Sequence, residues 1–421
     1  MSDQVVGENG ALTHDVGHTL NPEFIDKVCA ALDGEDRAQV AELLLKLHAA
    51  DQADLLGLLR PSQRRHLIRL MGDILQPDVL SDVEEDIRDE LVEVMAAEHL
   101  ANAVSEMETD DAVHLVEDLD EGRREEVLGL VSEGDRAAVE FGLTHGDETA
   151  GRLMQREVVS APEYWTVGQA LKYIHSSIDL PRRFFEIFVV DARSHPVGTI
   201  VTSTLMREDP DTVLEDIMQT KQTLIPASMD EEDVAYLFNQ YHLISSAVVD
   251  EFDRFIGMIT VDDIVGMVRQ AASEDMLALA GVREEEALSD SVIETTRLRF
   301  SWLFINLMTA ITASLVIAVF EDTIQEILAL AVLMPIVASM GGNAGTQTLS
   351  VAVRALATKD LTATNALRII YRETLVGGVN GVLFAILMGT IGGLWFDRFE
   401  IGLVLGLAMI INMILAGLAG I

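Results

Sequence analysis

PIVASMGGNAGTQ, residues 335–347, lies inside one of the most apolar parts of this chain. Almost purely aliphatic sequence leads into it from Ile327 and resumes at Leu349. About 20 apolar residues cross a bilayer core, so the setting is a membrane span. Polar, helix-weakening sequence at membrane depth is tolerated only where it lines a cavity or is buried in protein. The string therefore reads as the lining of an ion pathway. Gly341, Gly342 and Gly345 are expected to loosen the helix and expose carbonyls, as in channel filters. Asn343, Thr346 and Gln347 add side-chain oxygens, and Pro335 removes one helix hydrogen bond upstream. The bland alternative is helix packing through small residues, which explains the glycines better than the amides.

Working outward, spans are expected at about 301–320, 327–352, 374–395 and 401–421, each near the length a bilayer requires. Arg297 and Arg299 precede the first span, and Glu321, Asp322 and Glu326 follow it. Arg354, Lys359, Arg368 and Arg372 separate the second from the third, and Asp397, Arg398 and Glu400 the third from the fourth. Cytoplasmic connectors carry the excess of Lys and Arg, so the large N-terminal region is cytoplasmic and the protein a multi-pass protein of the cell membrane. At ~1.5 Å per residue the polar string sits about 20 Å or more from the outer end of its span, toward the cytoplasmic half. The fourth span reaches Ile421 with no basic stop, which suggests a further span is missing.

Lys and Arg total 29 against 69 Asp and Glu, a formal net charge of −40, and the acids crowd the first 290 residues. Such a surface excludes a nucleic-acid partner, whose phosphates demand basic groups. It suits cations, or a protein bathed in concentrated salt, a reading that the excess of Arg over Lys also fits. Cys29 is the single cysteine, so no disulfide within the chain is possible and no thiolate metal site is expected. The first residues are polar and acidic and lack the features of a secretory signal. No nucleophile–base pair, zinc spacing or phosphate-binding loop marks an enzyme.

The acidic region carries a twelve-residue period. METDDAVHLV at 107–116 is followed by LDEGRREEVL at 119–128; Leu47 with Leu55-Leu56 is followed by Leu59 with Leu67-Ile68. So short a period predicts stacked short helices in a superhelical array, each too short to stand alone. Asp110, Asp111, Asp118 and Asp120 fall in turns and first helical turns, where the macrodipole favours acids, and the bland reading makes them solvated charge.

A second repeat has a spacing of 59. FVVD at 188–191 precedes GTIV at 198–201, and AVVD at 247–250 precedes GMIT at 257–260. Strand, turn, strand and helix, repeated, resemble a tandem pair of CBS domains, with GMITVDDIV at 257–265 the most specific match. That resemblance implies a nucleotide site in which Thr260 lies near phosphate and Asp263 on ribose hydroxyls. The first half has Val201 and Thr204 at the corresponding places and departs from the pattern. The alternative for Asp263 is a plain helix cap.

Acidic short helices, two CBS repeats and spans containing PIVASMGGNAGTQ resemble, in that order, the MgtE family of magnesium channels. Thr346 stands where the family often has Asn. The resemblance implies a multidomain fold: an all-α superhelical N-terminal domain, an α/β tandem CBS pair and an α-helical transmembrane domain. The corresponding boundaries are a flexible N-terminus 1–20, the acidic domain 21–152, CBS domains 153–211 and 212–270, a connecting helix 271–298 and four spans in 299–421. It further implies Mg²⁺ as cargo, ATP at the CBS pair, a homodimer in the lipid bilayer, and a fifth span with an acidic pore residue. Mg²⁺ is small, demands octahedral oxygen ligands and dehydrates reluctantly, which suits neutral oxygens on a hydrated ion. Cytosolic Mg²⁺ is expected to close the pore by bridging acids of the cytoplasmic domains; the motif-matched positions are Asp110, Asp230, Glu232, Asp263, Glu274 and Asp275. His114, one turn after Asp110, stands where another acid would help. Glu284, Glu285 and Glu286 read as solvated charge. The rival functions are a non-conducting, membrane-anchored CBS sensor of nucleotide or divalent ions, and a transporter of another divalent cation such as Co²⁺. A softer metal would want His or Cys, and the spans contain neither.

Overall fold

The structure is a computed structural model that describes residues 13, 19–72, 74–177, 180–181, 183–282 and 292–421. Glu284–Glu286 and the end of the connector lie outside the described residues. The chain divides into two compact units, Met1–Val268 and Arg269–Ile421.

Among the described residues the first unit opens with ten helices. They are α1 Pro22–Asp33, α2 Arg37–Leu44, α3 Ala49–Leu58, α4 Pro61–Met71, α5 Val79–Asp82, α6 Glu85–Val94, α7 Ala97–Glu106, α8 Thr109–Glu117, α9 Glu121–Leu130 and α10 Glu133–Gly142. Apart from α1 and the one-turn α5, their first residues fall on one twelve-residue grid. From α3 onward, the residue two positions ahead of each helix on the grid is apolar. Leu47, Leu59, Met71, Val83, Met95, Met107 and Leu119 are all buried, as are the paired Leu55-Leu56, Leu67-Ile68, Leu115-Val116 and Val127-Leu128. One continuous core joins them, so each short helix is held by its neighbours rather than by its own propensity. Asp36, Asp120 and Ser132 cap their helices by accepting backbone N–H bonds.

The CBS halves are two three-stranded sheets. The first is β1 Ser160–Pro162, β2 Glu186–Val190 and β3 Pro196–Val201; the second is β4 Leu224–Pro226, β5 Ser245–Val249 and β6 Phe255–Thr260. In each, the first pair is parallel and the second antiparallel. The register slips at Val189/Val190 and again at Val248/Val249. The helices of this region are α11 Val167–Ser176, α12 Thr202–Leu205, α13 Leu214–Ile217 and α14 Glu231–Tyr241.

The 59-residue spacing reaches into the turns. Asp191 accepts bonds from the Arg193 and His195 backbone N–H groups, and Asp250 from those of Phe252 and Arg254. Ser194 and Asp253 both take positive φ. The two halves interlock, because Gln155 ladders with Met258 while Gln219 ladders with Thr199. Gly198 and Gly257 are required by that crossing. A Cβ on Gly198 would lie 2.9 Å from Met218 Cγ, and one on Gly257 2.7 Å from the Gln155 carbonyl oxygen. Each glycine sits inside its strand rather than starting it.

Helix α15, Val261–Ala280, starts directly after β6 and runs on without a break at the expected 270/271 boundary. The connector therefore begins as the tail of a CBS helix. Helix α15 ends at Ala280, and Gly281 after it takes φ +70°.

In the second unit α16 Val292–Ala318, α18 Leu328–Ala357, α19 Ala366–Trp395 and α20 Phe399–Ala419 are each long and apolar enough to cross a membrane; α17 Glu321–Glu326 is a short link. The second and third spans run further than their apolar cores. Arg354 lies inside α18, and Arg368 and Arg372 inside α19, instead of in a connector. Arginine at a span end keeps its charge at the interface while its stem stays in hydrocarbon, so the helix need not stop at the first charge.

Antiparallel α19 and α20 touch backbone to backbone. A Cβ on Gly381 would lie 2.9 Å from Ile410 Cα, and one on Gly389 2.9 Å from the Gly402 oxygen. Close approach through small residues is how helices associate when lipid removes the hydrophobic drive.

Candidate functional site

Two helices of the first unit present their first turns to one another. Asp110 and Asp111 open α8, and Asp262 and Asp263 open α15. Gln155, 2 % exposed, lies between them on the segment that enters the first CBS half. Its Nε2 donates to Glu108 Oε2 at 2.7 Å, to Asp263 Oδ2 at 3.3 Å and toward Thr260 Oγ1 at 3.4 Å. The Thr260 hydroxyl is within bonding reach of Asp262 Oδ1 and, at 2.9 Å, of Asp263 Oδ2. The backbone of Gln155 is fixed by N–H···O bonds exchanged with Met258 at 2.7 and 2.9 Å.

The same segment grips α8. Glu157 accepts from the Thr109 backbone N–H at 3.2 Å and from the Thr109 hydroxyl at 2.6 Å. Glu108, the N-cap residue, makes no cap bond with its own side chain. The CBS lead-in therefore supplies the cap that α8 lacks.

This arrangement concentrates negative charge. Burial, then the Asp263, Asp111 and Glu108 carboxylates, raise the Asp110 carboxyl well above its usual range. Asp110 is 9 % exposed, and its Oδ1 is buried with no hydrogen-bond partner. Burial also raises Asp111 to about 6 and Asp263 to about 6, with neighbouring acids adding to the shift. Glu108, at the more open rim, is pushed to about 7 by partial burial and then by Asp263 and Asp111. Raised carboxyl pKa values mark a site that favours a neutralising proton or cation.

The structure thus joins Asp110, Thr260 and Asp263 of the expected positions. The solvated reading fails for Asp110, which is buried, and holds for Asp120, a plain cap. Asp118 instead pairs with buried Arg88 at 2.7 Å, and Arg88 Nη2 also lies 3.2 Å from His114 Nε2. Asp230 and Glu232 belong to a separate group: Asp230 caps α14 through the Glu232 N–H at 3.0 Å, and Glu231, raised by partial burial and then by Glu148, Asp230 and Glu232, completes it. Glu274 and Asp275 lie late in α15, beyond the first unit; the Asp275 side chain is outside the described residues. Sequence reasoning missed Glu108, Gln155, Glu157 and Asp262 as partners; the paired acids Asp110-Asp111 and Asp262-Asp263 were the available signal.

The membrane string departs from expectation in its backbone. Residues 341–347 are continuous α-helix inside α18, so the glycines do not open the chain. At 100° per residue the string becomes two faces. Gly341, Gly345 and Thr348 face α20: a Cβ on Gly341 would lie 2.5 Å from the Asn412 amide, and one on Gly420 would lie 2.9 Å from Thr348 Cβ. Asn343, Thr346, Gln347 and Ser350 occupy the opposite face and are exposed in the single chain, and Gly342 is open. The Thr346 hydroxyl donates to the Gly342 oxygen at 3.0 Å, which leaves its lone pairs free to accept. The packing reading therefore holds for the glycine face, while the amide face is left uncovered in the single chain.

A helical acidic region, a CBS pair and four apolar helices long enough to cross a membrane define a membrane protein with an attached CBS-containing module. Family models agree along the chain: MgtE intracellular N domain over residues 47–148, CBS domain over 214–269, and MgtE divalent cation transporter over 334–421. The chain is 32 % identical over 392 residues to the magnesium transporter MgtE of Enterococcus faecalis, covering 92 % of this chain and 86 % of that protein. It belongs to the MgtE family of magnesium transporters. The soluble part of a magnesium transporter superposes with a TM-score of 0.52 at 29 % identity, covering 59 % of this chain and 98 % of that one. The cytosolic domain of the Mg²⁺ channel MgtE, solved in complex with ATP, gives 0.53 at 26 % identity, covering 58 % and 99 %. Like its relatives, the protein is a membrane protein with a cytosolic domain.

Proposed function

We propose that the chain forms a homodimeric Mg²⁺ channel that cytosolic Mg²⁺ closes by binding between α8 and the start of α15. The observation that carries this reading is the buried, unpartnered Asp110 Oδ1 amid the Asp263, Asp111 and Glu108 carboxylates. The donor set is hard oxygen, which fits Mg²⁺. Among the described residues no group of three or more His, Cys, Asp or Glu side chains is arranged to close directly on one ion. The mode proposed is therefore an ion held through its own waters by one or two carboxylates, the usual habit of Mg²⁺. Bound there, Mg²⁺ supplies the positive charge that lets the two first turns stay together. Ions that bind the docked state alone stabilise it by mass action. Without them the like charges favour separation, the open condition of the gate. The Asp230–Glu232 group and Glu274 with Asp275 are proposed as further regulatory acids.

A single α18 would turn Asn343, Thr346 and Gln347 toward lipid, which is unfavourable for polar groups. A second copy would enclose that face as the pathway wall, with Gly342 giving room beside it. Thr260 and Asp263 are also the residues proposed for ATP. Both are bonded to Gln155 in the acidic cluster, so nucleotide and the docked cluster would compete for them.

The test is Mg²⁺ flux into proteoliposomes at low and high Mg²⁺ on the cytosolic side. Flux suppressed at high Mg²⁺, lost in Asn343→Ala and released from suppression in Asp263→Ala, is the expected result. Absence of flux from folded, inserted protein would favour the non-conducting sensor. Equal flux of Co²⁺ would refute Mg²⁺ selectivity.

A further inference from the structure

Asn412 is an amide about 20 Å into apolar α20, by a rise of ~1.5 Å per residue from Phe399. Polar groups at that depth need a partner. Its Nδ2 donates to the Val337 carbonyl oxygen of α18 at 2.6 Å. Its amide also lies against Gly341: both amide atoms would be 2.5 Å from a Cβ at that position. One side chain thus grips α18 by a carbonyl and by a notch, at the first residue of the polar string. The contact continues one turn on, where Gly345 approaches the Ala416 oxygen, and ends where Gly420 meets Thr348.

We infer that Asn412 is a positioning residue for ion permeation: it fixes the rotation of α18 and thereby aims Asn343, Thr346 and Gln347 at the pathway. Val337, Gly341, Gly345 and Thr348 lie on one side of the helix and Asn343, Thr346 and Gln347 on the other, by 100° per residue. Turning α18 by one residue would carry the amide off the axis. The role of Gly341 follows from the same contact. A methyl there can be relieved only by swinging the Asn412 amide away, which breaks its bond to Val337. This inference rests on the transport reading, so its test has an arm that does not.

Asn412→Ala and Asn412→Asp, which lacks the amide donor, are measured for Mg²⁺ and Ca²⁺ flux in proteoliposomes. Mg²⁺ flux should fall at least about threefold, the scale of losing one interhelical hydrogen bond, and the Mg²⁺ to Ca²⁺ ratio should fall with it. A merely structural residue would lower both fluxes together. Gly341→Ala should do the same damage, and Gly341→Ala with Asn412→Ala should be no worse than Asn412→Ala alone. Additive losses, or an unchanged ratio, would overturn the inference. If the parent protein carries no Mg²⁺, the channel reading fails and disulfide trapping decides. In a Cys29→Ser background, the pair Thr348→Cys and Gly420→Cys should cross-link readily. Asn412→Ala should slow that cross-linking; an unchanged rate would refute the role of Asn412.

Discussion

Replacing Asp110 by Asn should make the protein more stable in chelator and less responsive to Mg²⁺. Asp110 is buried, one oxygen has no partner, and burial and three carboxylates hold its pKa well above the usual range. At pH 8 the wild type must keep either a strained charge or an unfavourable proton there. Asn keeps the shape and removes both. A buried polar group without a partner costs about 1–3 kcal/mol, more when charged, so a gain of that order is expected. At roughly 2–4 °C per kcal/mol for a domain of this size, the first unfolding transition should rise by about 2–12 °C. Mg²⁺ at 100 times its Kd stabilises a one-site protein by about 2.7 kcal/mol, and most of that gain should vanish in Asp110→Asn. Thermal unfolding of the intact protein in detergent, with Mg²⁺ titrated against chelator, reads both effects. A variant that melts lower in chelator while keeping the wild-type Mg²⁺ response would refute the argument, because Asp110 would then have a partner in the resting state.

Three further outcomes are expected. Asp111, Asp263 and Glu108 have folded-state pKa values raised to about 6, 6 and 7, so the stability they lend is full below the ordinary carboxyl value of about 4 and lost as pH rises through 6 to 7. Melting in chelator should fall across that window, and Mg²⁺ affinity measured by calorimetry should weaken on acidification from pH 7.5 to 5.5 as protons compete. Glu157→Ala removes the cap that Thr109 receives from the CBS lead-in; at about 0.5–2 kcal/mol for a lost cap, proteolysis near residues 143–157 should quicken even with Mg²⁺ present. Gly257→Ala forces a Cβ to 2.7 Å from the Gln155 oxygen and should destabilise the first unit by about 1–3 kcal/mol and weaken Mg²⁺ binding. An unperturbed melt would show that the crossing strands can part cheaply.

Much of the architecture is written in local periods. The twelve-residue spacing of Leu47, Leu59, Met95, Met107 and Leu119 alone implies a stack of short helices, because a helix of ten residues buries its apolar side only against a neighbour. The 59-residue spacing of FVVD and AVVD likewise implies two copies of one strand–turn–strand unit. The apolar runs imply four spans by length. Such signals are legible because burial repeats with the geometry of the element.

What only the tertiary structure decided is which groups meet. Nothing local tells that Gln155 reaches Asp263, 108 residues away, or that Asp110 is a buried partner of that acid while Asp120 is a surface cap. Both are acids near helix starts, and only the packing of the CBS lead-in against α8 separates them. GGNAGTQ shows the same limit. Its composition suggested a broken helix, yet a continuous one serves, because 100° of turn per residue sorts its glycines toward α20 and its amides away. Residue types fixed what the string could offer; the neighbouring helix fixed which side offers it.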